Sequence, residues 1–118
     1  KGIPLCYEMA RQGCRRYVVA RKSVKAYMRN PISVDVKSIT TDHVQKLFLS
    51  EEDEKLLRGK RVLIVDDVVS TGESLAAMEK LVGMYGGNIV GRACVLAEGD
   101  AKDRTDIVYL EPLPLFYK

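Results

Sequence analysis

At 118 residues the chain is the size of one domain, and 47% apolar with 30% charged residues is the composition of a globular protein with its own core. Its 19 basic and 16 acidic side chains leave a net charge of +3, too slight by itself to argue for a nucleic acid. Cys6, Cys14 and Cys94 lack any CxxC spacing, so neither a disulfide framework nor a zinc site is indicated; with no membrane-length apolar run and no signal peptide, a reducing cytoplasm is the default location.

The sequence opens on Lys1 without a methionine, in a Lys-Gly-Ile-Pro turn that feeds a helix over Pro4–Gln12. Pro4 suits the first turn, Gly13 the stop, and Leu5 and Met9 share one face. A strand should precede such a turn in a βαβ arrangement, so the expectation is of a fragment lacking its N-terminal strand. Tyr17–Ala20 reads as a compact strand with Arg21 and Lys22 at its carboxyl end. Asn30-Pro31 signals a turn, after which Ser33–Thr41 alternates as a strand and Val44–Leu49 reads as its return, a hairpin or a mobile excursion. A stretch this long between core strands suggests a basic lid over Ser23–Thr41, although a solvated hairpin with scattered lysines accounts for the same residues. Glu51–Arg58 is a short charged helix ended by Gly59.

Next comes the most informative stretch, Arg61-Val62-Leu63-Ile64-Val65-Asp66-Asp67-Val68-Val69-Ser70-Thr71-Gly72-Glu73-Ser74. Its β-branched run is that of a buried strand, and two adjacent carboxylates stand at the carboxyl end. A small hydroxyl-and-glycine loop follows, then a helical pattern of Leu75, Met78, Leu81, Val82 and Tyr85. In open α/β sheets ligands lie beyond the carboxyl ends of the strands, and a helix N-terminus attracts an anion. Carboxylates beside such a loop suit a ligand that carries both a phosphate and a polyol. The blander account is a helix capped by Thr71 beside two solvated aspartates. Beyond it, Gly86-Gly87 ends the helix, Ile89–Ala97 is a strand, Glu98–Arg104 a polar loop and Ile107–Leu110 a last short strand. The ending Glu111–Phe116 is too rich in proline for regular structure, and Leu113, Leu115 and Phe116 must cover something apolar.

Val62 to Ser74 resembles the phosphoribosyl-pyrophosphate (PRPP) motif of the type I phosphoribosyltransferases. Lys1–Pro4, Val18–Lys22, Ser38–Thr41 and Gly91–Glu98 extend the likeness, most closely to the adenine and xanthine branch. The resemblance implies an α/β fold, a mainly parallel Rossmann-like sheet flanked by helices with a long flexible lid. It implies one domain over 1–118, lacking its N-terminal strand and hood. The implied reaction displaces pyrophosphate from C1 of PRPP by a purine base, with Mg²⁺ carried by PRPP and no direct metal ligand. Asp66 and Asp67 would hold the ribose hydroxyls, and Ser70, Thr71, Gly72, Glu73 and Ser74 the 5-phosphate. Lys22, with Arg21, would meet the pyrophosphate, and Lys1 and Gly2 would be the end of a pyrophosphate loop. Lys22, Asp66 and Asp67 would stand closest to the chemistry.

Ser70 stands where hypoxanthine and guanine members carry an aspartate, and Glu98 where they carry a lysine that donates to a 6-oxo group. An ionised carboxylate can only accept, so Glu98 favours an exocyclic amino group, hence adenine; a solvated loop acid is the plainer account. A homodimer, no membrane and no nucleic acid are further expectations. The alternative within the superfamily is a PRPP-binding regulator of transcription without catalysis, which would carry a DNA-binding segment. A response-regulator receiver is disfavoured because the acceptor position is Glu111 with too little chain after it. A nucleotide-hydrolase loop is disfavoured because no GxxxxGK[ST] occurs.

Overall fold

A computed structural model of the chain describes residues 2–14, 16–36 and 45–115. Its elements, in order, are α1 (Ile3–Met9), β1 (Ile32–Val36), β2 (Gln45–Leu49), α2 (Glu51–Leu57), β3 (Arg61–Val69), α3 (Glu73–Met84), β4 (Asn88–Glu98) and β5 (Val108–Leu113). The fold is α/β. The chain folds as two compact units, one of Lys1–Tyr17, Leu63–Gly72 and Gly91–Lys118, the other of Val18–Val62 and Glu73–Val90. No described helix is long and apolar enough to cross a membrane.

The second unit is a hairpin packed on a helix. β1 and β2 pair antiparallel in the register Ile32 with Leu49, Val34 with Leu47 and Val36 with Gln45. Alternation puts Val34, Val36, Leu47 and Leu49 on one face, and they share a buried cluster with Leu57 and with Ala77, Leu81 and Tyr85. The Tyr85 hydroxyl donates to the Leu49 carbonyl at 3.1 Å, so the buried phenol is satisfied as well as packed. Ser50 caps α2, its backbone N–H donating to the Asp53 carboxylate at 2.8 Å. α3 stops at Gly86-Gly87, where the Gly87 N–H bonds the Val82 carbonyl at 3.0 Å.

One expectation changes here. Tyr17–Ala20 forms no strand: the backbone pairs across at one residue, Arg21, whose N–H and carbonyl bond Phe48 at 3.0 and 2.7 Å. A strand is defined by its partner, and four apolar residues with one bridge beyond them make no ladder. Val18 and Ala20 instead pack against the hairpin cluster. Within the stretch Ser23–Thr41 that was expected as a lid, Val34 and Val36 are 6% and 7% exposed and belong to the core. The turn of that lid from Lys37 to Thr41, with Val44, lies outside the described residues.

The first unit holds a sheet in the order β3-β4-β5. β4 and β5 run parallel, with Cys94 beside Tyr109 and Ala97 beside Pro112. Ile64, Val69, Cys94, Ala97, Ala101 and Ile107 are buried in this unit. β5 runs through Pro112, where a proline-rich irregular end was expected. Proline lacks a donor but is tolerated on an edge strand, whose outer side bonds no neighbour, and β5 is that edge. Helix α1 carries Leu5 and Met9 half-buried and continues into a turn over Ala10–Cys14 that breaks at Gly13, the expected stop. Leu115 lies over Gly99, 2.9 Å from where a β-carbon there would stand; Phe116 lies outside the described residues.

The hairpin–helix cluster should dominate stability. Leu81, at 1% exposed, leaves no room for collapse when shortened. Leu81→Ala should cost about 3 kcal/mol, and Tyr85→Phe about 1 kcal/mol, by urea denaturation. Near-equal losses would place Leu81 at the margin of the cluster.

Candidate functional site

Both aspartates lie within β3, because the strand continues to Val69. Each carboxylate turns back onto the chain: Asp66 Oδ1 accepts the Asp67 N–H at 2.8 Å, and Asp67 Oδ1 accepts the Val68 N–H at 2.8 Å. Burial pushes the Asp66 carboxyl above the ordinary aspartate range, and the side chain of Asp67 beside it adds to the rise. Gly2 approaches the same point. A β-carbon there would stand 3.1 Å from the Val65 carbonyl oxygen and 3.2 Å from the Asp66 Cα, so the backbone at Gly2 lies flush against β3 at Val65 and Asp66.

The strand leads into Ser70-Thr71-Gly72. Gly72 has φ of +85°, a left-handed conformation that side chains with a β-carbon rarely adopt. The space that such a carbon would need is already taken: Arg104 Nη1 lies 2.7 Å from its position. Arg104 follows the turn Gly99–Asp103 and is tied by its Nε and Nη2 to Asp106 at 2.8 and 2.6 Å. Ser70, Thr71, Glu98, Asp100, Arg104 and Leu115 border a cavity of about 270 Å³. That is just below the roughly 300–1,000 Å³ of pockets for drug-sized ligands, a size for one ring system. Cys94 is buried, and burial pushes its thiol upward.

Of the residues expected from sequence, Gly2, Asp66, Asp67, Ser70, Thr71, Gly72 and Glu98 therefore belong to one unit. Glu73 and Ser74 form the first turn of α3 in the other unit, to which Arg21 and Lys22 also belong. Lys1 lies outside the described residues. Arg104 is the residue that sequence reading missed. Its only local signal is a basic residue two positions before an acid, and its contact is with a loop far away in the chain.

Among the described residues no three metal-ligating side chains converge. A carboxylate pair beside an anion loop still fits Mg²⁺, which commonly takes one or two carboxylates together with substrate phosphate oxygens and waters.

A model of the phosphoribosyl transferase domain family matches residues 1–112. A probable purine biosynthesis transcriptional regulator PurR of Streptococcus pneumoniae is 31% identical over 88% of this chain and 37% of its own length. A hypoxanthine/guanine phosphoribosyltransferase of Methanococcus voltae is 35% identical over 87% of this chain and 51% of its own. The chain thus spans about a third to a half of these curated relatives. A crystal structure of adenine phosphoribosyltransferase from Thermoanaerobacter pseudethanolicus aligns with a TM-score of 0.73 at 24% identity, covering 90% of this chain and 62% of that one, a likeness of fold.

Asp66 makes a prediction independent of any ligand. A carboxyl whose pKa is raised on folding favours the folded state below the ordinary aspartate range and loses that contribution as pH climbs through the raised value. Asp66→Asn keeps an oxygen for the Asp67 N–H and removes the buried charge. Its melting temperature should exceed that of the parent at pH 7, by roughly 4 °C for each 1 kcal/mol relieved. The gain should vanish near pH 3, roughly, where the parent carboxyl is also neutral. A variant less stable than the parent at pH 7 would show that the ionised form has a stabilising partner.

Proposed function

This chain belongs to the phosphoribosyl transferase family, and on that footing we propose that it binds PRPP and transfers its phosphoribosyl group to a purine, adenine in the first instance, releasing pyrophosphate. The observation that carries the reading is the grouping of Asp66, Asp67 and Ser70–Gly72 in one unit, beside a cavity of single-ring-system size that Glu98 borders. The proposal takes residues 1–118 as one domain, for which the family match over 1–112 speaks.

In this reading Asp66 and Asp67 accept from the ribose hydroxyls, and the raised carboxyl of Asp66 can hold a proton there more readily than a solvated aspartate would. Ser70 and Thr71 offer hydroxyl donors to the 5-phosphate, and Gly72 lets the backbone approach it. Glu73 and Ser74 supply the first N–H groups of α3. Gly2, with Lys1, takes the pyrophosphate side from the strand end, and Arg21 and Lys22 bring positive charge to the leaving group. Mg²⁺ would be carried by PRPP without a direct protein ligand, and would supply charge neutralisation to the pyrophosphate that leaves. Substitution at a ribose C1 is oxocarbenium-like, so the residues act by orienting reactants and stabilising the leaving group rather than by a covalent step. A homodimer working in the cytoplasm completes the proposal.

A second reading draws on the likeness to PurR: the domain binds PRPP as a signal and does not turn it over. Mixing the protein with Mg²⁺, PRPP and a panel of purines and measuring pyrophosphate separates the two. Release with a purine supports the transferase; PRPP binding without release supports the regulator; neither binding nor release removes both.

Two substitutions probe the site itself. Gly72→Val meets both a left-handed backbone and Arg104, and should weaken PRPP by at least about a hundredfold in calorimetry, roughly 2.7 kcal/mol, while the fold persists. Unchanged affinity would remove Ser70–Ser74 from the phosphate site. Glu98→Lys replaces an acceptor by a donor and should move the ratio of kcat/KM from adenine towards hypoxanthine by about tenfold or more, the scale of one specific polar contact. An unchanged ratio would take Glu98 away from the base.

A further inference from the structure

We propose that Arg104 and Asp106 form a brace that fixes the phosphate loop at Gly72, making Arg104 a positioning residue for the phosphoribosyl ligand. The inference rests on the PRPP reading above and names two residues to which neither the motif nor the comparisons assign a role.

The geometry is that of a planar group held at several points. The Arg104 backbone N–H bonds the Ala101 carbonyl at 3.1 Å, fixing where the side chain starts. Its Nε and Nη2 donate to the two oxygens of Asp106 at 2.8 and 2.6 Å, fixing the guanidinium plane. Nη1, the remaining nitrogen of that plane, occupies the space beside Gly72 that a β-carbon would fill, 2.7 Å from its position. The Arg104 side chain is 31% exposed and that of Asp106 46%. Ion pairs at such exposure contribute little to stability, so folding alone gives this one little purpose. A fork-to-fork pair does give direction. Asp106 is held down at about 2 by Arg104, so the pair stays intact across the neutral range.

The loop needs such a brace because Gly72 sits in a conformation that glycine leaves easily. A backbone free to leave it does not keep its N–H groups aimed at one anion. Arg104 blocks one side of the peptide and borders the same cavity as Ser70 and Thr71, so it holds the loop in the shape the phosphate meets. Lysine cannot substitute: a single ammonium cannot span Asp106 and Gly72 in one rigid plane.

Calorimetry with ribose 5-phosphate tests the brace without the base or the pyrophosphate. Arg104→Lys and Arg104→Gln should each weaken binding at least about tenfold, and Asp106→Asn about threefold or more, at melting temperatures near that of the parent. Because the two residues act as one device, the Arg104→Lys, Asp106→Asn double variant should bind no worse than the weaker single variant. Parent-like affinity in Arg104→Lys, or additive losses in the double variant, would overturn the brace. If Arg104→Gln fails to fold, Asp106→Asn decides alone, and parent-like affinity there overturns it. A parent protein that binds no ribose 5-phosphate removes the PRPP reading and this inference together; a parent that binds, with unaffected variants, removes this inference only.

Discussion

A carboxylate partly drawn out of water within a strand is unfavourable for folding, and β3 does this at Asp66 with a second acid adjacent. Ile64, two residues earlier, is 2% exposed and supplies the apolar burial the strand needs. Each carboxylate accepts the N–H of the next residue of its own strand, so both are held in place by local backbone. Local features that conflict with folding are tolerated where a ligand resolves them, and the proposed polyol would bring hydroxyl donors to the pair.

The loop after the strand carries the complementary constraint. Gly72 is left-handed and α3 begins at the next residue, so the hydroxyls of Ser70 and Thr71 and the start of the helix follow within a few residues of the acids along the chain. Acid pair and glycine loop are therefore inseparable in sequence. Their spacing is set by the number of residues needed to leave a strand and enter a helix, which is why the pattern can be recognised in one dimension.

What was legible in the sequence follows that logic. The hairpin pairing of Ile32–Val36 with Gln45–Leu49, the short helix α2, the stop of α3 at Gly86-Gly87 and the strand, acid pair and loop around β3 are encoded within a few residues of where they act, although β3 runs on past the acids to Val69. What was not legible depends on distant partners. Tyr17–Ala20 has the composition of a strand, but its backbone finds a partner only at Arg21. Pro112 argues against a strand until β5 proves to be an edge. The burial of Val34 and Val36 within the stretch expected as a lid was not legible because Ala77 and Leu81, which share their cluster, come from a helix far along the chain. Arg104 is the extreme case, since its partner in the loop, Gly72, has no side chain that could advertise a contact.

The same separation explains how one family serves different bases and roles. Under the proposed reading, β3 and its loop would meet the phosphoribosyl donor itself. The other residues that border the cavity, Glu98, Asp100 and Arg104, lie at the end of β4 and on the segment between it and β5. Turns of this kind accept substitution without disturbing the sheet. A change there alters what lies beside the donor while leaving the donor's own contacts in place. A regulator and a transferase can then share the first half of the site and differ in the second. In this chain Arg104 lies against Gly72, so the turn and the loop are joined by a contact and a change in one is felt by the other.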